Sequence, residues 1–165
     1  MADLFSGADL VDMKAEWEKV INGKGGVCPC CKRWGKVYVR SINVTMAKSF
    51  IWLAFAAPKD DAGWINVPKT APVEVMRTKQ FSTLRWWGLI EQASHLKDTT
   101  KKHVGVWRLT PLGRAFATGY ATVPLQAVTY AGEVVRLAGK QVSLKECVKG
   151  YDYSAMMAAY ASAAV

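Results

Sequence analysis

The chain has 165 residues, a formal net charge of +9 and seven tryptophans. This length suits a single domain, or one domain with small attachments, and the positive charge favours a polyanionic partner such as nucleic acid. No run of about 18 apolar residues predicts a membrane span, and the first residues lack the basic and apolar segments of a secretion signal. We therefore expect a cytoplasmic protein with no membrane partner.

The charge is unevenly distributed. Residues 22–59 contain seven Lys or Arg and no acid, whereas the first 21 residues contain five acids against two lysines. This asymmetry predicts one face that is directed towards a polyanion. The sequence has no glycine-rich phosphate loop, no Ser/His/Asp set and no pair of carboxylates at a useful spacing. We accordingly expect neither an enzymatic activity nor a small-molecule substrate.

Residues 6–21 are predicted to form the first helix, because their apolar side chains recur at helical spacing. These side chains are Leu10, Met13, Trp17, Val20 and Ile21. A glycine-rich turn at residues 22–26 ends the helix. Residues 37–39 then favour a strand, with Val37 and Val39 on one side and Lys36, Tyr38 and Arg40 on the other.

Between these elements lies a cysteine motif, residues 28–31, which we call the knuckle. Its Cys28 and Cys31 form a C-x-x-C pair of the kind that supplies half of a tetrahedral zinc site. No second pair is evident, so three interpretations stay open: a zinc site completed by distant residues, a knuckle without metal, and a redox pair. Cys147 is best interpreted as a small apolar residue of a later helix.

Basic side chains surround the knuckle. Lys32, Arg33 and Lys36 are candidates for phosphate contacts. Trp34 and Tyr38 alternate with them and could stack on unpaired bases. We favour a place in the core for both aromatic rings, because large aromatic residues usually supply core area.

The middle of the chain is predicted to be mostly helical. Residues 45–57 form a strongly apolar helix. Pro68 and Pro72 limit residues 64–76 to a short strand and a short helix, at about residues 72–76.

Residues 77–119 carry the most informative pattern. A helix is predicted over residues 78–87, with Gly88 as a left-handed C-cap. A short strand, a polar loop at residues 93–103, a second strand and a helix capped by Thr110 follow. This order is the layout of a winged helix-turn-helix, in which residues 78–87 are the recognition helix and residues 93–103 the wing. We therefore predict an α+β protein with a winged helix-turn-helix core.

On the recognition helix, Phe81 and Leu84 are expected to face the core. The residues that would then face the major groove, or border it in the case of Arg85, are Thr78, Lys79, Ser82, Thr83, Arg85 and Trp86. The wing adds Lys97, Lys101 and Lys102 as phosphate contacts. His95 and His103 are interpreted as exposed residues of the loop.

The C-terminal part is predicted to contain a hairpin that turns at residues 131–132, a helix opened by a capping box at residues 143–146, and a final helix at about residues 154–163. The domains proposed are residues 1–44 (N-terminal helix and knuckle), 45–119 (winged helix domain) and 120–165 (hairpin and helices).

The order of these motifs resembles a family of small phage-encoded proteins of uncharacterised function. The matching segments are residues 28–31, 36–40, 46–47, 84–91, 105–110, 123–124, 142–144 and 151–153. The resemblance implies a phage origin, a winged fold and a location in the cytoplasm of the host cell. This sequence departs from the family pattern at Trp86, where Tyr is usual, and at Cys147.

Three functions are consistent with these features. The first is binding of double-stranded DNA through the winged helix, in gene control or DNA metabolism. The second is a host-takeover adaptor, in which the winged domain binds a host protein or enzyme complex. The third is binding of single-stranded nucleic acid through the aromatic residues near the knuckle.

Overall fold

The structure is a computed structural model that describes residues 7–57, 63–93 and 105–148, together with residues 150, 152, 154, 155 and 158. Its helices and antiparallel strands make the protein α+β, as the sequence predicts. The predicted wing and most of the predicted final helix fall outside the described residues. None of the described helices has the length and apolar character that crossing a membrane requires.

The helices follow the predicted order except at residues 64–76, where the structure has two short helices instead of one. The additional helix forms because Asn66 caps it and Pro68 lies in its first turn, where no N–H is needed. The α-helices are α1 (Gly7–Asn22), α2 (Val44–Ala56), α3 (Val67–Thr70), α4 (Val73–Thr78), α5 (Pro111–Ala117) and α6 (Leu144–Cys147), and a 3₁₀ helix, η1, spans Phe81–Trp87. The strands are β1 (Gly26–Val27), β2 (Trp34–Gly35), β3 (Val37–Ser41), β4 (Ile65–Asn66), β5 (Ile90–Gln92), β6 (Val106–Leu109), β7 (Val123–Tyr130) and β8 (Glu133–Val142).

The strands form three sheets. β1 and β2 pair as an antiparallel hairpin, in which Gly26 is opposite Gly35. β3, β7 and β8 lie side by side in that order, and the third sheet has the order β4-β6-β5. In the third sheet β6 is antiparallel to both neighbours, with Ile65 opposite Trp107 and Ile90 opposite Leu109.

The chain divides into two compact units. The first contains Met1–Arg40 and Ala127–Leu137, and the second contains Ser41–Gln126 and Ala138–Val165. These units do not follow the three consecutive segments proposed from the sequence. The tip of the β7–β8 hairpin groups with the first forty residues, because strand pairing joins segments that are far apart in the chain.

The core of the second unit is built on α2. Asn43 caps this helix by accepting a hydrogen bond from the backbone N–H of Met46. Phe50 of α2 meets Phe116 of α5, with ring centroids 5.6 Å apart. Leu84, Leu89, Trp107 and Phe116 are also buried.

The predicted continuous recognition helix is wrong. α4 ends at Thr78, Lys79 adopts a left-handed conformation (φ 52°), and η1 begins at Phe81. The buried side chains of η1 are Phe81, Leu84 and Trp87, and this spacing of three residues matches the three residues per turn of a 3₁₀ helix. An α-helix would need a spacing of about 3.6 residues, which this pattern fits less well.

Local signals for the other elements are confirmed. Gly88 is the left-handed C-cap of η1, Thr110 caps α5, and Ser143 forms the predicted capping box with Glu146. The hairpin between β7 and β8 turns at Ala131 and Gly132, which both have positive φ, as short hairpin turns of the primed types require.

In the first unit, α1 packs on the β1–β2 hairpin through Trp17. A Cβ atom added to Gly35 would lie 2.6 Å from the Trp17 ring, and one added to Gly26 would lie 2.7 Å from a methyl group of Val20. The two glycines face each other across the hairpin. Side chains at these two positions would therefore push the helix away from the hairpin.

Candidate functional site

The predicted recognition residues lie on both sides of the helix break. Lys79 and Arg85 are exposed, whereas Ser82 and Thr83 are half-buried. The hydroxyl of Ser82 donates to the carbonyl of Lys79 (3.3 Å), and that of Thr83 donates to the carbonyl of Gln80 (2.6 Å). The side chains of Lys79 and Arg85 are therefore the better candidates for contact with an anionic partner.

Thr78 does not share a helix with these residues. It is half-buried in the last turn of α4, where its hydroxyl lies 3.4 Å from the carbonyl of Val75. This placement follows from the break at Lys79, and it corrects the prediction of an outward-facing Thr78 on the recognition helix.

The turn between α4 and η1 is held by a side chain from another element. The Asn43 side chain, which caps α2, also donates through Nδ2 to Oε1 of Gln80 (2.9 Å). One asparagine thus couples the start of α2 to the residue that precedes η1. This bond restrains the position of η1 and of its exposed residues.

The tryptophan pair of η1 is divided between two environments. Trp87 is 2% exposed, and its indole N–H donates to the carbonyl of Pro124 (2.7 Å). Trp86 is half-buried, and its indole nitrogen is buried without an acceptor among the described residues. Trp87 therefore takes the expected core position, whereas the prediction of an outward-facing Trp86 is wrong for its polar atom.

The wing candidates Lys97, Lys101 and Lys102, like His95 and His103, lie outside the described residues. Backbone hydrogen bonds hold the described residues at both ends of the predicted wing. The backbone N–H of Val67 donates to the carbonyl of Gly105 (2.9 Å), and the N–H of Ala93 donates to the carbonyl of Val106 (3.0 Å). A Cβ atom at Gly105 would lie 2.4 Å from the Pro68 ring, so position 105 has little room for a side chain.

Arg108 has a structural role in the same sheet. Its side chain forms an ion pair with Glu91 on the neighbouring strand (2.6 Å), and its guanidinium lies 4.4 Å from the centroid of the Trp64 ring. The cation thus links β5 and β6 to the residue that precedes β4. We do not count Arg108 among the candidates for nucleic-acid contact.

Sequence reasoning missed Arg77, which is exposed in the last turn of α4, two residues before Lys79. The signal for Arg77 that the sequence offered was a basic residue at the C-terminal end of a short helix. The sequence of the second unit contains fourteen Lys or Arg and seven Asp or Glu, whereas that of the first contains eight and six. Most of the excess positive charge thus belongs to the unit that contains η1.

The aromatic residues near the knuckle do not lie in the core. Trp34 is 61% exposed and Tyr38 is 45% exposed, which contradicts the prediction that both rings are buried. Lys36 and Arg40 place their cationic groups 5.7 Å and 5.8 Å from the Tyr38 ring centroid. Tyr38 and Arg40 lie in β3 and Lys36 directly precedes it, and the contacts with the Tyr38 ring place the three residues on one side, as predicted. The result is an exposed aromatic ring between two cations.

Lys32 and Arg33, the other candidates near the knuckle, are both exposed at the tip of the β1–β2 hairpin. Lys32 adopts a left-handed conformation with φ 58°. The loop is closed by two backbone hydrogen bonds, from the N–H of Cys28 to the carbonyl of Arg33 and from the N–H of Lys32 to the carbonyl of Cys28.

The predicted metal ligands lie in this loop. Cys28 is half-buried and Cys31 is exposed. Hydrogen bonds from the backbone of Cys31 and then of Cys30 lower the pKa of the Cys28 thiol, as expected for a loop whose N–H groups stabilise a thiolate. Within the described part of the chain, no group of three or more His, Cys, Asp or Glu could hold a metal ion.

Cys147 is remote from this chemistry. It is a buried residue of α6, as predicted, and burial raises the pKa of its thiol to about 11. The thiol is therefore neutral at physiological pH and acts as a small apolar group.

Comparisons of this chain with protein-family models, with curated proteins and with solved structures find no match.

Proposed function

We propose that the segment from α2 to α5 is a winged helix that binds double-stranded DNA, in phage gene control or DNA metabolism. From α2 to β6 the elements are a helix, a strand, three short helices (α3, α4 and η1) and two strands. Apart from the additional four-residue α3, this order and the β4-β6-β5 sheet are typical of winged helix domains. In this interpretation α4 and η1 are the helix-turn-helix, and residues 93–103 are the wing. The observation that carries the proposal is the exposure of Lys79 and Arg85 beside η1, in a unit with a large excess of basic residues.

The geometry of η1 favours phosphate contacts over base readout. Its two polar hydroxyls, of Ser82 and Thr83, already donate to backbone carbonyls. Hydrogen bonds to base edges carry sequence information, whereas contacts to phosphates position the protein on the duplex. We therefore expect sequence-tolerant or modestly specific binding that is strongly salt-dependent. Lys97, Lys101 and Lys102 would add phosphate contacts from the wing.

The test is a titration of a fluorescently labelled duplex at several salt concentrations. The double variant Lys79→Gly/Arg85→Ala removes two exposed cations, and glycine at position 79 accepts the left-handed backbone without strain. If each residue contacts one phosphate, the slope of log affinity against log salt falls by about two units. Each lost contact then lowers affinity roughly 5-fold at about 0.15 M salt, as the counterion-release slope implies.

The control is Lys140→Ala/Lys145→Ala, which removes the same charge from exposed positions of β8 and α6. This variant should bind duplex DNA nearly as the wild type does. Equal losses in the two double variants would show that net charge alone, and not η1, determines binding. The triple variant of Lys97, Lys101 and Lys102 should weaken all duplex sequences alike.

The adaptor hypothesis makes the opposite prediction. Wild-type protein that binds duplex no tighter than about 100 μM at physiological salt would be at the weak end of non-specific affinity. That result would reject DNA binding and favour a winged domain that docks on a host protein.

A second candidate function, the binding of single-stranded nucleic acid, is supported by the exposed Trp34 and Tyr38 rings. Exposed aromatic faces between cations are the usual means of holding unpaired bases and their phosphates. Lys36 and Arg40 flank Tyr38 at the distances given above, and Lys32 and Arg33 add positive charge at the hairpin tip.

This second function is tested with a labelled thymine oligonucleotide and its duplex counterpart. Trp34→Ala and Tyr38→Ala should each cost about 1–3 kcal/mol of single-strand binding and leave duplex binding unchanged. Unchanged single-strand affinity in both variants would reject the stacking role. The Lys79→Gly/Arg85→Ala variant serves as the control, because it should affect the duplex more than the single strand.

A further inference from the structure

Two features of the first unit lack a partner in the described part of the chain. They are the cysteine pair of the β1–β2 hairpin and an exposed apolar face of α1. The hairpin tip presents Cys28 and Cys31, which are two ligands of a kind that zinc binds in sets of four. No third or fourth ligand joins them within the part of the chain that the structure describes. The loop itself is closed by backbone hydrogen bonds from the N–H of Cys28 to the carbonyl of Arg33 and from the N–H of Lys32 to the carbonyl of Cys28. The hairpin thus has the form of half a zinc site.

The exposed apolar face of α1 lies next to this half-site. Leu10, Met13 and Trp17 line a groove of about 350 Å³ together with Cys28, Pro29 and Cys30. Trp17 is partly covered because it packs on Gly35. Leu10 and Met13, two turns and one turn earlier, remain 49% and 37% exposed. An apolar helix face therefore stays open directly beside the cysteines.

We infer that two copies of this chain share one zinc ion, held by Cys28 and Cys31 of each copy, and that the exposed apolar residues of α1 pack around this shared site. A two-fold interface is self-complementary, so the same patch meets itself. Two identical half-sites then supply four thiolates, which is a complete structural zinc site. The same association covers Leu10 and Met13, so that one partner completes both features.

Charge explains why zinc would control the association. Lys14 lines the groove, and Lys32 and Arg33 are exposed at the hairpin tip. In a symmetric pair these cations are duplicated and repel one another. One Zn²⁺ with four thiolates carries a net charge of −2, which offsets this repulsion. The pair should therefore form with zinc and separate without it. The inference does not depend on the proposed DNA binding.

The experiment uses the full-length protein, purified under reducing conditions without added metal. Elemental analysis gives the zinc content per chain, and light scattering after size exclusion gives the mass. We expect one zinc ion per two chains and a dimer that a chelator converts to monomer and added zinc restores. Substitution of cobalt for zinc should give the intense visible absorption of a tetrahedral thiolate site.

Variants separate the ligands from the other cysteines. Cys28→Ser/Cys31→Ser should lose zinc and dimer formation together, with an unchanged far-ultraviolet circular dichroism spectrum. The control variant Cys147→Ala, at a buried position of α6, should keep both. Leu10→Asp should weaken the dimer at least tenfold, because it places a charge in the apolar patch.

Three results would overturn the inference: one zinc ion per chain in a monomer, a folded protein without zinc, or a dimer that survives the chelator. The first would mean that residues of the same chain complete the site. These measurements on the wild type decide the matter even if the double cysteine variant does not fold.

Discussion

The adjacent residues Trp86 and Trp87 allow one substitution to be compared in two environments. In Trp87→Phe the carbonyl of Pro124 loses the donor that lies 2.7 Å from it. Removal of one partner of a hydrogen bond costs about 1–3 kcal/mol when the other is left unsatisfied away from water. We therefore expect Trp87→Phe to lower the free energy of unfolding by about 1–3 kcal/mol through this bond, with a further loss from the smaller ring.

Trp86→Phe should behave differently. It removes an indole N–H that is buried without an acceptor among the described residues. The relief of this unsatisfied donor, about 1–3 kcal/mol, offsets the packing lost with the smaller ring. The net change should stay within about 1 kcal/mol of the wild type, the usual range for tolerated apolar replacements.

The assay is urea unfolding followed by far-ultraviolet circular dichroism, because seven tryptophans complicate a fluorescence signal. Equal slopes with denaturant are needed for the comparison. In thermal unfolding, each kcal/mol should correspond to a shift of about 2–4 °C for a chain of this size. Similar losses in both variants, or a larger loss in Trp86→Phe, would refute the assignment of the two indole environments.

Three further predictions concern Leu84, Gly113 and Cys147 of the second unit, with Gly132 of the first unit as a comparison. Leu84→Ala should lower the free energy of unfolding in urea by about 2–5 kcal/mol, because Leu84 is 1% exposed. A loss well below about 1 kcal/mol would contradict the packing of η1. Gly113→Ala should lower the free energy of unfolding by at least about 3 kcal/mol, since its Cβ would lie 2.0 Å from the Leu89 carbonyl oxygen. Gly132 has open space around it, so Gly132→Ala should lower it only by the ~1–2 kcal/mol that a left-handed backbone costs. Burial raises the pKa of Cys147 from 9.0 to about 11, so its neutral thiol stabilises the fold below pH 9 and this contribution is lost as the pH rises through 11. The difference in unfolding free energy between wild type and Cys147→Ala should therefore shrink over this pH range, and a constant difference would argue against the burial of the thiol.

Much of the fold follows from local signals in the sequence. Asn43, Thr110 and Ser143 accept hydrogen bonds from backbone groups a few residues away, so their helix starts can be inferred without knowledge of the rest of the chain. Gly88 adopts the left-handed conformation that follows from its position after an apolar helix. The alternation of buried residues in β6 likewise depends only on strand geometry.

Contacts between distant segments decided the features that the sequence did not predict. Phe81 packs edge-on against Trp107 (5.0 Å), and Trp87 bonds to Pro124, so η1 adopts the backbone that satisfies both contacts. The break at Lys79 follows from these contacts, since the turn must connect η1 to the separately packed α4.

Surface exposure was also decided by tertiary structure. Trp34 and Tyr38 are large aromatic residues of the kind that usually lie in a core, yet both remain exposed. Burial depends on whether another element covers the side chain. The pairing of Gly26 with Gly35, and the packing of Trp17 on that hairpin, leave the cysteines beside an open apolar groove. The sequence identified Cys28 and Cys31 as possible ligands, but their position beside exposed apolar residues of α1 depends on packing between segments that lie apart in the chain.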